Sequence, residues 1–285
     1  MTHIVPPRSV HLLLPGLMLA LLILVTSFAP VRAADRDRLE AFLEVTGFDV
    51  ALESIKLSAG AAPGMLGVDP GIFGSEWTRM SAEVFDVPTM HDMALDILSE
   101  TLSDPLLAHA AEFYASDLGQ RLVAVENASH LFEDDDAKSE RGRTLIGQMV
   151  QEGDPRLELL NRMNAAVSSD DAGLRAVQEI QFRFLIAASA AGILELRMDP
   201  QDLREMLAQD APRMRQAIRE SALAGAAFTY ETVSDTDLEA YAQALEHPQM
   251  QEVYVLMNAV QYEVMANRFE VLAARMKDLQ PGQEL

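Results

Sequence analysis

The residues that could do chemistry are few. His109 and Glu112 stand three apart on a segment with helical apolar spacing. That spacing also occurs in carboxylate-bridged metal bundles, where a Glu-x-x-His pair on each of two helices meets further glutamates from facing helices. No second Glu-x-x-His is present, so the pair reads as surface or corner packing, and no metal is expected. Glu126 and His130 form an ordinary i,i+4 pair on one helix face. The acidic run Glu133-Asp-Asp-Asp136 lacks the alternating oxygens and central glycine of a calcium loop, so it reads as a solvated loop. Ser58 to Gly74 holds five Gly and two Pro after its first residue, but no Gly-Lys-Ser/Thr and no preceding strand, which argues against a phosphate cradle. Asn127-Ala128-Ser129 fits a glycosylation sequon by chance, since it falls within a helix. There is no Gly-x-Ser-x-Gly elbow and no cysteine nucleophile, and among 44 acidic residues neighbouring pairs carry no information. No catalytic residue and no cofactor are expected.

The elements that position these residues are helices. Acid–proline pairs or short capping residues recur before apolar-periodic segments: Asp104-Pro105, Asp154-Pro155, Asp199-Pro200, Asp210-Ala-Pro212 and Ser234-Asp-Thr-Asp237. His247-Pro248 leads a long helix to about Lys277, with Val253, Met257, Val260, Val264 and Val271 on one side. Helices are also expected over Asp35–Ser58, bent or split at Gly47, over Glu76–Asp86, over Lys138–Gln151 and up to Val167. Another should start from Thr89 with capping-box spacing to Asp92. Ala172–Met198 reads as the longest buried helix. Its Ala187, Ala188, Ala191 and Gly192 would admit a close neighbour, for which Ala222–Ala227 is a candidate. Residues 58–74 should hold no helix, given their density of breakers. The expected fold is all-α, a helical bundle whose lobes pack on each other.

Two short helices meet at a corner in the stretch Leu102–Phe132. Leu106, Ala110 and Phe113 give one apolar stripe, and Leu118, Leu122, Val125 and Phe132 the next. Ser116 and Asp117 offer a cap between them, and Gly119 permits close approach. This stretch resembles the bacterial exported family known as domain of unknown function 2059. That family has an aromatic residue, then Ser-Pro-x-Gly, then a basic or amide residue at such a corner. Phe113-Tyr114, Ser116, Gly119 and Gln120-Arg121 match, and Asp117 stands where proline is usual. The resemblance implies an all-helical fold and export across the inner membrane, with no established activity.

At the N-terminus, Arg8 precedes an apolar run from Leu12 to Phe28, and Val31-Arg32-Ala33 has small residues where a signal peptidase reads. Residues 1–33 are expected to be a signal peptide, cleaved after Ala33, which places the protein in the periplasm of a Gram-negative-type envelope. The rival is an uncleaved helix anchoring a scaffold to the membrane. The mature chain of 252 residues (285 minus 33) would carry 20 basic against 44 acidic residues, a charge of −24. That excludes nucleic acid and anionic membrane surfaces as natural partners. With no cysteine there is no disulfide framework.

Shifting the chain by 143 residues places Phe85 on Phe228, Leu95 on Leu238, Leu102 on Leu245 and Pro105 on Pro248. This suggests a diverged duplication, with a first lobe over 34–137, connecting helices over 138–171, a second lobe over 172–278 and a frayed tail over 279–285. The functional expectation is a non-catalytic module that binds a protein, a peptide or an apolar ligand in a groove between lobes. The alternative is a metal-dependent or acid/base enzyme. Phe113, Tyr114, Ser116, Gly119 and Arg121 are the candidate binding residues. The 15 methionines suit adaptable apolar surfaces.

Overall fold

The computed structural model describes residues 36–66, 74–168 and 170–277. The expected signal peptide, the expected frayed tail and residues 67–73 of the glycine-rich stretch lie outside them. Within Arg32–Leu285 the chain forms one compact unit. The described residues are helical, with no β-strand among them.

The first helices are α1 (Arg36–Thr46) and α2 (Phe48–Ser54), split at Gly47, whose φ of 70° turns the chain through the left-handed region. A 3-10 turn over Ile55–Ala61 and the short helix α3 (Ala62–Met65) follow. The expectation that no helix survives there is corrected: Ala59 and Ala62 are buried, so packing outweighs weak propensity. Next come α4 (Gly74–Val84) and α5 (Val87–Thr101). The start of α5 lies earlier than its Thr89 spacing predicts. Asp86 caps it, accepting from the Thr89 N–H at 3.1 Å, and Pro88 sits within the first turn.

The corner then forms as α6 (Asp104–Tyr114) and α7 (Asp117–His130). Ser103, not Asp104, holds the cap position of α6, and Asp104 pairs with Arg38 at 2.6 Å. The acidic run is solvated, but only Glu133 and Asp134 are loop. Asp134 caps α8 (Asp135–Glu152) by accepting from the Ala137 N–H, and Asp135 and Asp136 fill its first turn, where negative charge complements the helix dipole. The chain continues through α9 (Arg156–Val167), α10 (Asp170–Ala190), α11 (Pro200–Gln209), α12 (Ala211–Thr229), α13 (Asp235–Leu245) and α14 (Pro248–Met276). Helix α10 stops well before Met198, because Gly192 takes φ 75° and the Ile193 N–H turns back to the Ala188 carbonyl.

Helix α14 is the longest, with 29 residues. Met250, Val253, Met257, Val260, Val264, Phe269, Leu272 and Met276 are all buried along it, while Val255 on its outer side is exposed. Helices α4, α5, α6, α9, α10 and α13 all pack on it. One connected apolar core takes residues from α1 through α14. Of the pairs matched by the 143-residue shift, Phe85 and Phe228 differ, the first buried in the turn after α4 and the second half-buried within α12, and the other three are alike in burial or position. Leu95, Leu102, Leu238 and Leu245 are all at most 1% exposed, and Pro105 and Pro248 each stand in a first helical turn. Where α6 breaks at Ser116, α14 runs on without interruption through Asn258–Gln261.

The small-residue stripes find other partners than each other. Gly142 of α8 lies directly on the Ala224 backbone of α12, where an added Cβ would stand 2.1 Å from the Ala224 carbonyl oxygen. Ala187 and Ala190 of α10, with Ala191 just past its end, instead line a shallow hollow with Asn267, Val271 and Ala274 of α14.

Two glycines of α8 give a matched test. Gly142→Ala must push backbone away from backbone and should lower stability by roughly 3 kcal/mol or more. Gly147→Ala meets nothing within 4 Å. It should raise stability by about 0.5–1 kcal/mol through helix propensity alone. Urea denaturation followed by circular dichroism reads both.

Candidate functional site

The corner residues divide by role. Ser116 caps α7, accepting from the Gly119 N–H at 3.1 Å while its hydroxyl donates to the Phe113 carbonyl at 2.6 Å. Gly119 sits against the end of α6, where a Cβ would stand 2.3 Å from the Phe113 carbonyl oxygen. The Arg121 guanidinium donates to the Asp117 carbonyl and pairs with Asp237 of α13 at 3.1 Å. The Phe113 ring stacks on Tyr241, with centroids 5.7 Å apart and planes 6° from parallel. Ser116, Gly119 and Arg121 thus build the corner. Of the five candidates, Tyr114 lines the wall of a cavity beside Glu126.

Tyr114 leads to a cluster that the sequence reading did not single out. Its hydroxyl lies 3.0 Å from that of Tyr241 and also contacts that of Tyr254; the Tyr241 and Tyr254 hydroxyls are 3.0 Å apart. Tyr241 donates to Oε1 of Glu126 at 2.8 Å, and Tyr230 donates to the same oxygen at 2.6 Å. Four of the protein's five tyrosines therefore gather on one carboxylate. They come from the end of α6, the turn after α12, α13 and α14.

The proton inventory is short by one. Each phenol carries one O–H. Those of Tyr230 and Tyr241 go to Glu126, which leaves two protons for three hydroxyl–hydroxyl contacts. Tyr241 must accept within this triangle, so the network is directed from Tyr114 and Tyr254 through Tyr241 toward the carboxylate.

Burial raises the pKa of Glu126 above the usual carboxylate range, and the two phenolic hydrogen bonds oppose that rise. Burial likewise pushes Tyr114, Tyr230 and Tyr241 well above the ordinary phenol value, and the neighbouring negative charge adds to it. The cluster holds at most one charge, on Glu126.

Glu126 stands between two cavities. One, of about 180 Å³, opens among α1, the Gly47 joint, α2, α7 and α14; its wall includes Phe42, Phe48, Ala51, Asn127, Val253 and Met257. The other, of about 330 Å³, lies among α7, α8, α9, α12 and α13; its wall includes Lys138, Met163, Asn164, Ala226 and Thr229. Glu126, His130 and Tyr254 line both. Oε1 of Glu126 is taken by the two tyrosines. Oε2 has no hydrogen-bond partner among the described residues. His130, one turn along α7, has its pKa lowered by burial and then by Lys138, which donates to the Ser129 carbonyl at 2.8 Å. Gly47 shapes the first cavity: a Cβ there would stand 2.4 Å from Oδ1 of Asn127.

Glu126 was within reach of the sequence. It follows the buried Leu122 by four and Val123 by three, and precedes the buried Ser129 by three. It is a carboxylate on an apolar stripe, which its reading as an ordinary i,i+4 pair passed over. The stripe itself was drawn one position off: Leu122 and Val123 are buried, whereas Val125 is half-buried and Phe132 is 37% exposed. Phe132 lies beyond the last turn of α7 and leans on Phe228, with ring centroids 5.1 Å apart.

The histidine and glutamate first weighed as metal ligands part company. The ring of His109 stacks on that of His247 with centroids 4.3 Å apart, and Glu112 is exposed. No three His, Cys, Asp or Glu side chains gather to hold a metal among the described residues.

Residues 88–146, which contain the corner and Glu126, match the family described as "Uncharacterized protein conserved in bacteria (DUF2059)". The DUF2059-like segment is thus 59 of the chain's 285 residues (88 to 146). No curated protein and no solved structure matches the chain. The DUF2059 segment contributes Tyr114, Glu126, His130 and Lys138 to the cluster and its cavities, while Tyr230, Tyr241 and Tyr254 come from beyond it.

Two expectations follow. Charge-assisted hydrogen bonds are about twice as strong as neutral ones. Tyr230→Phe should therefore cost about 2–3 kcal/mol, against about 1 kcal/mol for Tyr114→Phe. In a double-mutant cycle, Glu126→Gln should erase most of that difference. The pH dependence has two opposed parts. His109 and His130 have lowered pKa values, so they contribute stability that is present above about pH 6.5 and lost as pH falls through their folded values. Glu126 has a raised value, so its contribution is present below the ordinary carboxylate pKa and lost as pH rises through the folded one. The Tm of Glu126→Gln should fall less than that of the unmodified chain as pH is raised from 5 to 8.

Proposed function

We propose that this is an exported, non-catalytic binding protein of the bacterial envelope. Its ligand would sit in the cleft between the Gly47 joint and α14, against Glu126. The observation that carries the reading is the open carboxylate oxygen of Glu126, set in a cavity whose wall is otherwise mostly apolar and uncharged. Pockets of this kind, apolar with a few convergent polar groups, are where small ligands are held. The cavity volume, about 180 Å³, suits a compact small molecule or one side chain of a peptide.

Binding is favoured over catalysis by the geometry around Glu126. A general acid or base needs a nucleophile or a second titrating group within hydrogen-bond reach. The groups that touch Glu126 are phenols whose pKa values burial drives upward. Export rests on the leader-like residues 8–33 and on the family resemblance. Among the described helices none is long and apolar enough to cross a membrane.

The cleft can be tested by closing it. Ala51 is 7% exposed and lines the wall. Ala51→Leu should leave the helical circular dichroism spectrum intact. It should abolish the thermal shift that small aromatic alcohols give to the unmodified mature chain. Absence of any shift in the unmodified chain would overturn the cleft reading. N-terminal sequencing of protein recovered from the envelope should begin at residue 34; a retained leader would favour the anchored alternative.

A further inference from the structure

The polar end of the ligand can be inferred from what the cleft lacks. We propose that the cleft takes a small amine: a cationic N–H head seated on Oε2 of Glu126, with a compact apolar body against Phe42, Phe48, Val253 and Met257. This rests on the cleft reading above and adds the ligand's charge to it.

Three observations converge. First, Oε1 of Glu126 is saturated by the Tyr230 and Tyr241 hydroxyls, so the carboxylate is held in one orientation with Oε2 left over. Oε2 has no partner among the described residues, and it is not enclosed, since Glu126 keeps some accessible surface and lines both cavities. Second, the carboxylate has no counter-cation among the described residues. The smaller cavity contains no Lys or Arg, and its one basic group, His130, is held toward its neutral form. Lys138, across the larger cavity, is turned to the Ser129 carbonyl. A partly buried carboxylate without a cation is costly, and a cation delivered by a ligand offsets that cost. Third, the remaining wall offers aliphatic and aromatic carbon with side-chain amides at Asn127, Asn258 and Gln261. A cavity of about 150 Å³ lined by apolar side chains takes benzene, so 180 Å³ admits a body of that size. An anion is disfavoured at such a site, because the fixed carboxylate repels it.

The probe pair is phenethylamine and 2-phenylethanol, matched in shape and different in charge. Isothermal titration to the mature chain should show the amine bound at least about tenfold more tightly than the alcohol. Glu126→Gln should bring the two affinities within about twofold, leaving that for the alcohol nearly unchanged. In the unmodified chain, the amine should move the titration of the Glu126 carboxyl ¹³C signal to lower pH, and the alcohol should not. That readout needs no variant and applies even if Glu126→Gln fails to fold. Titration there is read against the groups that face the carboxylate: the four tyrosines, His130 and Lys138. If both probes bind equally and the ¹³C titration does not move, the charge assignment falls while the cleft reading stands. If the amine preference persists in Glu126→Gln, the acidic surface and not the cleft selects it, and the proposal falls. If neither probe binds, both readings fall.

Discussion

The bundle is organised around one carboxylate that its helices share. Glu126 faces inward from α7, and the hydroxyls that hold it come from the turn after α12 and from α13, with α6 and α14 joined through Tyr114 and Tyr254. Apolar packing is indifferent to small slides of one helix along another. Hydrogen bonds of 2.6–2.8 Å to a single oxygen are not. The cluster therefore fixes α6 and α7 against the turn after α12, α13 and α14, more than 100 residues away in sequence, where the leucine and valine faces alone would leave latitude. The cost is a desolvated charge, which raises the Glu126 pKa.

A second, outer set of charges works in the same direction at lower energy. Arginines of the middle of the chain reach acids of its last third: Arg121 to Asp237, Arg141 to Glu231, Arg156 to Asp235, Arg162 to Glu239 and Glu246, and Arg183 to Glu263 and Glu270. Most reach into solvent, which screens them and keeps each weak. Their value is selective. In a chain with twice as many acids as bases, each wrongly placed helix would set acid against acid, so the scarce arginines discriminate between registers. Arg156 is the most buried of these arginines, with its side chain 12% exposed. It also donates to the Tyr230 and Val233 carbonyls, and so pins the turn that presents the Tyr230 hydroxyl to Glu126.

What could be read from sequence followed from local physics. The helix-start signals at Asp199, Ser234 and His247 all work as side-chain caps, because capping depends on residues two or three apart. The periodic face of α14 was legible for the same reason. The stretch 59–66 was misread because breaker counting knows nothing of the buried surface that Ala59 and Ala62 occupy. The loop expected over 133–136 stops at Asp134, because that acid is the cap of the next helix. Within the candidate site, Tyr114 was legible as part of an aromatic corner. Its partners were not, since Tyr241 and Tyr254 lie 127 and 140 residues away and nothing local marks them.

That distance bears on how the DUF2059 segment relates to the rest of the chain. The segment supplies the carboxylate and one phenol; the other three phenols lie well beyond residue 146. A carboxylate on the buried face of α7 without them would meet only apolar side chains or water, and would be driven to protonate. The corner and the C-terminal helices are therefore coupled by a polar requirement as well as by apolar area. Helix α14 can serve this purpose because it runs unbroken past the point where α6 turns its corner: Tyr254, seven residues into α14, reaches the hydroxyl triangle, while Met257, Asn258 and Gln261 on its next turns complete the cavity wall. A break at Asn258–Gln261, like the one that Ser116 makes between α6 and α7, would remove that wall. The unbroken course of α14 and the presence of a cavity beside Glu126 are in this sense one structural fact.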